Sequence, residues 1–199
     1  ILHLLSLNIF SADSQSPYSP KTLIKLGYWA SIAEPGFSMG MERPYRYIES
    51  KRRRSGKDHI KYKERYLGAA FQMYHHRDFH SLLNIQVEWI QKRQFSGGLY
   101  LQRSAGIGLS RTFLAGPTYE VDAQGNIKKK NGQGNYYACI QLAGGIGYNW
   151  AVKRNIPWNI YIKPGASVIL PYNYYFLPKP TVELGVIYNV KNFWTAHPK

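Results

Sequence analysis

The feature that most constrains this chain is a two-residue alternation sustained over long stretches. Within Thr181–Val190, the residues Val182, Leu184, Val186, Tyr188 and Val190 fall on one face, and Thr181, Glu183, Gly185 and Asn189 on the other. A strand turns successive side chains to opposite faces, so the run predicts a strand with one apolar face. Trp158 to Leu170 repeats the pattern, with Trp158, Ile160 and Ile162 against Asn159, Tyr161 and Lys163. So do Tyr136 to Trp150 (Ile140, Leu142, Ile146 against Gln141, Gly145, Asn149) and Gly98 to Phe113 (Leu99, Ile107, Leu109 against Gln102, Gly106, Ser110). These runs are roughly twice the length of an ordinary globular strand. Alternation over 21–31, 37–45, 66–74 and 81–91 brings the count to about eight, an even number.

Composition removes the competing classes. The 199 residues carry a net charge of +15, yet 15% are aromatic and Tyr alone occurs 17 times. A disordered basic segment would be poor in aromatics, and a helical bundle would be rich in Ala, Glu, Lys and Leu. No run of apolar residues is long enough for a membrane-spanning helix. A single cysteine, Cys139, excludes an internal disulfide framework and a cysteine-based zinc cluster. It falls on the polar face among Gln and Gly, as a small filler rather than a nucleophile. Gly144-Gly145 and Gly106-x-Gly108 lie inside strand runs, where they report bends and packing. No motif for a cofactor is present.

The polar face decides what solvates the barrel. A soluble barrel would carry mostly Lys, Glu, Asp and Arg on its outer face. Here the non-apolar face is Gly, Ser, Asn, Gln and Tyr with isolated charges at Lys25, Glu42, Glu88, Lys163 and Glu183. Small residues with a few opposite charges suit a tight polar lumen in which the charges pair. The apolar face ends in aromatics (Trp89, Trp150, Trp158, Tyr148, Tyr188), as belts at two bilayer interfaces would. The expected fold is all-β: a closed, antiparallel, up-and-down transmembrane β-barrel of about eight strands over residues 21–190. A soluble sandwich or lipocalin-like cup is the alternative.

The links sort into two sets. Residues 50–57, 92–97 and 151–157 are basic; 33–36, 75–80, 116–135 and 171–178 alternate with them. An even strand count puts both termini on the side of the basic links, expected to be the periplasm, with the long 116–135 loop outside. Residues 1–20, opening on the apolar Ile1–Phe10, read as a signal remnant or an N-terminal arm, and 191–199 as a periplasmic tail.

Glu183-x-Gly185-x-x-Tyr188-x-Val190 resembles the C-terminal assembly signal of bacterial outer-membrane barrels, and 21–190 as a whole is similar to the small eight-stranded outer-membrane proteins of Gram-negative bacteria, of the OmpA transmembrane domain, OmpX and OmpW kind, with some likeness to small barrels of Bacteroidota. The resemblance implies residence in the outer membrane and insertion by the barrel assembly machinery. The chain departs from the family in continuing past the signal to Lys199.

For function, an eight-stranded barrel is filled by its own side chains. Three uses remain: a non-enzymatic accessory barrel that binds other envelope proteins and lipopolysaccharide, a lipid A-modifying enzyme, or a conduit for a small or hydrophobic solute. The weak catalytic candidates are His76, His80 and Ser81. On a strand His76, Asp78 and His80 would share one face, as an acid–base set or metal trio, but adjacent His80 and Ser81 point apart. The positive charges are scattered over loops on both sides and form no nucleic-acid interface; phosphates of lipopolysaccharide and anionic lipid or partner surfaces account for them. Arg52, Arg53 and Arg54 with Phe193 and Trp194 would offer a docking surface to an acidic partner. Arg103 and Arg43 fall on the apolar face. Either they lie at the bilayer edge or a second protein covers them.

Overall fold

The computed structural model describes residues 21–31, 34–54, 57–76, 79–121, 124–130, 133–154, 156–172 and 175–190, with 49–54, 57–60, 120, 130, 153, 172 and 175 as backbone alone. Five long strands come first: β1 (Thr22–Ser31), β2 (Glu34–Arg54), β3 (Lys57–His76), β4 (His80–Phe95) and β5 (Leu99–Leu114). A short hairpin follows, β6 (Thr118–Val121) and β7 (Ile127–Lys130), then β8 (Tyr136–Asn149), one helical turn α1 (Ala151–Arg154), β9 (Trp158–Tyr172) and β10 (Tyr175–Val190). The eight long strands pair antiparallel in order, and β1 closes the ring by pairing with both β2 and β10. Thr22 lies opposite Val190 and Leu23 opposite Glu42. Closure leaves no strand edge within the ring for lipid to meet.

The alternation sorts the faces as expected. Ile24, Leu26, Ile85, Val87, Ile107, Leu142, Ile160 and Leu184 are exposed on the outer wall. Lys25, Glu42, Gln86, Glu88, Gln141, Lys163 and Glu183 are buried in the lumen. An apolar exterior over a polar interior is the arrangement of a barrel solvated by hydrocarbon. Two apolar layers fill the lumen towards its ends. One, at the end where Thr22 and Val190 lie (the terminal end), comprises Leu23, Tyr66, Ile90, Tyr100, Tyr161 and Ile187. The other, at the loop end, comprises Trp29, Tyr74, Leu82, Tyr137 and Ile169. Gly147 makes the first possible, because a Cβ there would run into the Tyr100 ring.

The strands run further than the alternation indicates. The basic link expected at 50–57 is instead the end of a hairpin: Lys51–Arg54 continue β2, paired as far as Arg54 opposite Lys57. The pairing of β1 with β2 stops at Glu42, and that of β4 with β3 at Lys61. Beyond those points β2 and β3 pair only with each other, outside the closed ring, so no lumen face is left to impose the period-two signal. The other expected links shorten in the same way. Lys92 and Gln94 belong to β4 and turn inward. Residues 34–36 belong to β2, and 171–172 and 175–178 extend β9 and β10. Pro178 and Pro180 are accommodated because β1 pairs β10 only from Thr181 onward, so their missing N–H groups cost no bond to that neighbour. The 116–135 loop holds the β6–β7 hairpin. Residues 1–20 and 191–199 lie outside the described residues.

Candidate functional site

Three arrangements of polar side chains invite a function: the mid-lumen, the loop-end mouth and one point on the outer wall.

Three lysines and three glutamates meet in mid-lumen. Lys25 donates to Glu88 at 2.7 Å and lies 3.9 Å from Glu42 and 4.0 Å from Glu183. Lys163 sits 2.6 Å from Glu183 and 3.3 Å from Glu88, and Lys92 donates to Glu42 at 2.6 Å. Glu183 also accepts from Tyr161 at 2.6 Å and from Ser38 at 2.8 Å. Each member of the Lys25–Glu88–Glu183 core is no more than 1% exposed. Charges so far from water persist only when paired and hydrogen-bonded, and the six sum to zero. Above them Gln86 bonds Glu88 and Gln141, and Asn84 bonds Gln72, so amides continue the filling. Below them the Lys92 ammonium lies over the rings of Tyr66 (4.8 Å) and Tyr100 (5.5 Å). Cys139 is buried in the lumen.

Of the mid-lumen ions, Lys25, Glu42, Glu88, Lys163 and Glu183 were readable from alternation. Lys92 was hidden in a stretch read as a link. Two of the signal residues have packing roles of their own: Glu183 belongs to the ion cluster, and Gly185 leaves room for the Tyr161 hydroxyl, 2.8 Å from where its Cβ would stand. Tyr188 faces outward, its ring 4.9 Å from Trp158, and Val190 pairs Thr22.

At the loop end the strands enclose a cavity of about 270 Å³, lined by Glu34, Tyr74, His76, Phe79, His80, Leu82, Thr112, Tyr137, Ile169, Leu177 and Lys179. Lys179 donates to both Glu34 oxygens, at 2.9 and 2.7 Å, and to the Tyr74 hydroxyl. His76 and His80 stand with their rings parallel, 6.0 Å apart, and Phe79 sits edge-on to His76 at 4.7 Å. His80 lies above the apolar band, where burial and then the Lys179 ammonium push its imidazole below its ordinary pKa. His76 ends β3 and His80 opens β4, so the two meet as register partners across a turn rather than along one strand, while Asp78 lies outside the described residues. Among the described residues no three His, Cys, Asp or Glu side chains could hold a metal ion.

The third arrangement crosses strands and is invisible to sequence spacing. His75 and Ser81 are register partners on β3 and β4, both facing outward, with His75 Nδ1 2.9 Å from Ser81 Oγ. His80 and Ser81 point apart, as the sequence indicates. Arg103 and Arg43 are exposed on the outer wall, and Arg103 donates twice to Gln91, through Nε at 2.9 Å and through Nη2. The backbones of Arg52, Arg53 and Arg54 lie on β2; their side chains, with Phe193 and Trp194, fall outside the described residues.

No protein-family model and no curated protein matches this sequence. Among solved structures the chain is similar to Neisserial surface protein A (11% identity, 85% of this chain and 95% of that one covered, TM-score 0.48). It is also similar to the N-terminal β-barrel domain of Pseudomonas aeruginosa OprF (17% identity, 86% and 98% covered, TM-score 0.42) and to the outer membrane enzyme PagL (9% identity, 84% and 99% covered, TM-score 0.42). The family likeness expected from the sequence is met in the fold, an up-and-down ring of eight antiparallel strands.

Proposed function

We propose that the chain is a non-conducting, non-enzymatic outer-membrane barrel that acts as an accessory subunit, binding other envelope proteins and lipopolysaccharide through its wall and its ends. The observation that carries this reading is the filled lumen: among the described residues an ion cluster whose six charges sum to zero lies between two apolar layers. With the interior committed to packing, the surfaces left for function are the outer wall, the mouth and the β2–β3 ribbon. At the loop end Arg111 stacks on Phe113 (4.7 Å) and Tyr136 (4.9 Å), a cation at the height where lipopolysaccharide phosphates would lie. The test is planar-bilayer recording on the refolded chain, paired with mild-detergent affinity isolation from the native envelope. Silent bilayers and a protein that co-purifies in fixed ratio support the reading; steady single-channel conductance overturns it.

A second reading rests on the His75–Ser81 pair. A serine hydroxyl against an imidazole on a lipid-facing wall is the beginning of an esterase site for acyl chains of lipid A. His75 bonds no carboxylate among the described residues, so the imidazole lacks the orienting third group that such pairs use. Lipid A that changes on overproduction, and does not change with Ser81→Ala, would establish this reading over the first.

A further inference from the structure

The outer wall is not the same all round. A strand crossing a bilayer at a tilt needs about 9–11 residues, hence roughly five outward positions. On β9 the outward residues from Trp158 to Leu170 are apolar throughout. On β2 Pro35, Phe37, Met39 and Met41 precede Arg43, and on β5 only Ala105, Ile107 and Leu109 separate Arg103 from Arg111. The aromatic pair that marks an interface, Trp89 donating to Tyr45, sits directly above this change.

Below that pair, toward the terminal end, cations cover four adjacent strands. In one row Arg46 of β2 pairs Arg65 of β3, Arg65 pairs Gln91 of β4, and Gln91 pairs Arg103 of β5. In the next row Lys63 pairs Arg93. Like charges directly opposite each other are destabilising, and here the arrangement occurs twice. Among the described residues no carboxylate ion-pairs with Arg43, Arg46, Lys63, Arg65, Arg93 or Arg103. The Nε of Arg65 is buried with no hydrogen-bond acceptor. A surface built this way is complete only with an anion on it.

Resting on the membrane-spanning reading above, we infer that the outer wall of β2–β5 below Trp89 and Tyr45 binds the phosphates of anionic glycerophospholipids in the leaflet on the terminal side. The depth selects a lipid over an acidic protein. Arg65 and Arg103 adjoin the lipid-facing Leu67 and Ala105 in their own strands, a level that a headgroup reaches by local thinning of the bilayer. The guanidinium of Arg103, held flat by Gln91, keeps donors for a phosphate oxygen.

The test uses the full chain in mild detergent, and heat-modifiable migration together with protease protection in vesicles is scored first. Failure there removes the membrane-spanning reading itself. Native mass spectrometry then compares phosphatidylglycerol, phosphatidylethanolamine and lipid A. The expected result is retention of phosphatidylglycerol at concentrations at least about tenfold below those needed for phosphatidylethanolamine. That preference disappears in the combined Arg46→Gln, Arg65→Gln, Arg93→Gln and Arg103→Gln variant and persists in Arg111→Gln. If the glutamine variant does not fold, the same four positions changed to Lys should retain the preference, and added salt should erode it in the parent. Equal retention of the two phospholipids, an unchanged preference in the glutamine variant, no effect of salt, lipid A preferred at these four positions, or an acidic protein occupying the wall in place of lipid each overturn the proposal.

Discussion

Along β2, β3 and β4 a charged residue turned into the lumen is followed at once by a cation turned out of it: Glu42 then Arg43, Glu64 then Arg65, Lys92 then Arg93. The inner members find partners within the lumen. Glu42 holds Lys92, and Glu64 accepts from Tyr66 at 2.6 Å. Of the outer members, Arg65 has Arg46 opposite it and Arg93 has Lys63, while Arg43 stands opposite Leu67, and among the described residues no carboxylate ion-pairs with any of them. One step in sequence separates a charge spent on holding the barrel together from a charge left available to a ligand. In this fold parity along the strand, rather than position in the chain, decides whether a lysine or arginine is architecture or surface.

The sharpest way to break that contrast is from the inside. Lys25→Met leaves Glu88, Glu42 and Glu183 around an apolar side chain, and removing one partner of a buried ion pair costs about 3–5 kcal/mol. Urea unfolding in lipid vesicles, followed by tryptophan fluorescence, should show that loss. A change below about 1 kcal/mol would mean that water reaches the cluster and screens it. Next in size is Gly147→Leu, which forces a side chain into the volume of the Tyr100 ring. Overpacking of this kind costs about 1–3 kcal/mol in the same assay.

On the outside the same measurement should barely move. Arg103→Leu removes a cation that lies near an interface, where its cost to the barrel is about 0–1 kcal/mol. A stabilisation of about 2–4 kcal/mol would instead place Arg103 at the bilayer midplane. Smallest of all is deletion of residues 120–128 from the β6–β7 hairpin, whose Val121 and Ile127 are exposed. A shift within about 0.5 kcal/mol is expected, since surface changes away from packed features lie in that range.

Alternation made the ring legible wherever one face met lipid and the other the lumen. It failed where neither face is apolar. Lys51–Arg54 and Lys57–Ile60 pair only with each other, beyond the ring, and Lys92-Arg93-Gln94 is polar on both faces for two different reasons. Those stretches therefore resembled links. The mouth was unreadable for another reason: Glu34 and Lys179 are 145 residues apart and meet only through the pairing of their strands, and His75 reaches Ser81 across a register rather than along a strand. Contacts made by the ring leave no local pattern. The six outer cations were visible as residues, but their grouping needed the register of β2 through β5.

The ring is closed by its first and last strands, and that has a kinetic consequence. The pair Thr22–Val190 spans nearly the whole described chain, so its loop-closure entropy must be met before any bond across that seam forms. Until β10 arrives, Lys25 lacks Glu183, and the hydroxyls of Tyr161 and Ser38 lack their acceptor. An incomplete barrel therefore holds donors that still lack one of their acceptors, and the last strand supplies both the seam and the carboxylate. Folding of such a chain is expected to be late, abrupt and nearly all-or-none, with the central ions working as a latch that engages when the cylinder shuts.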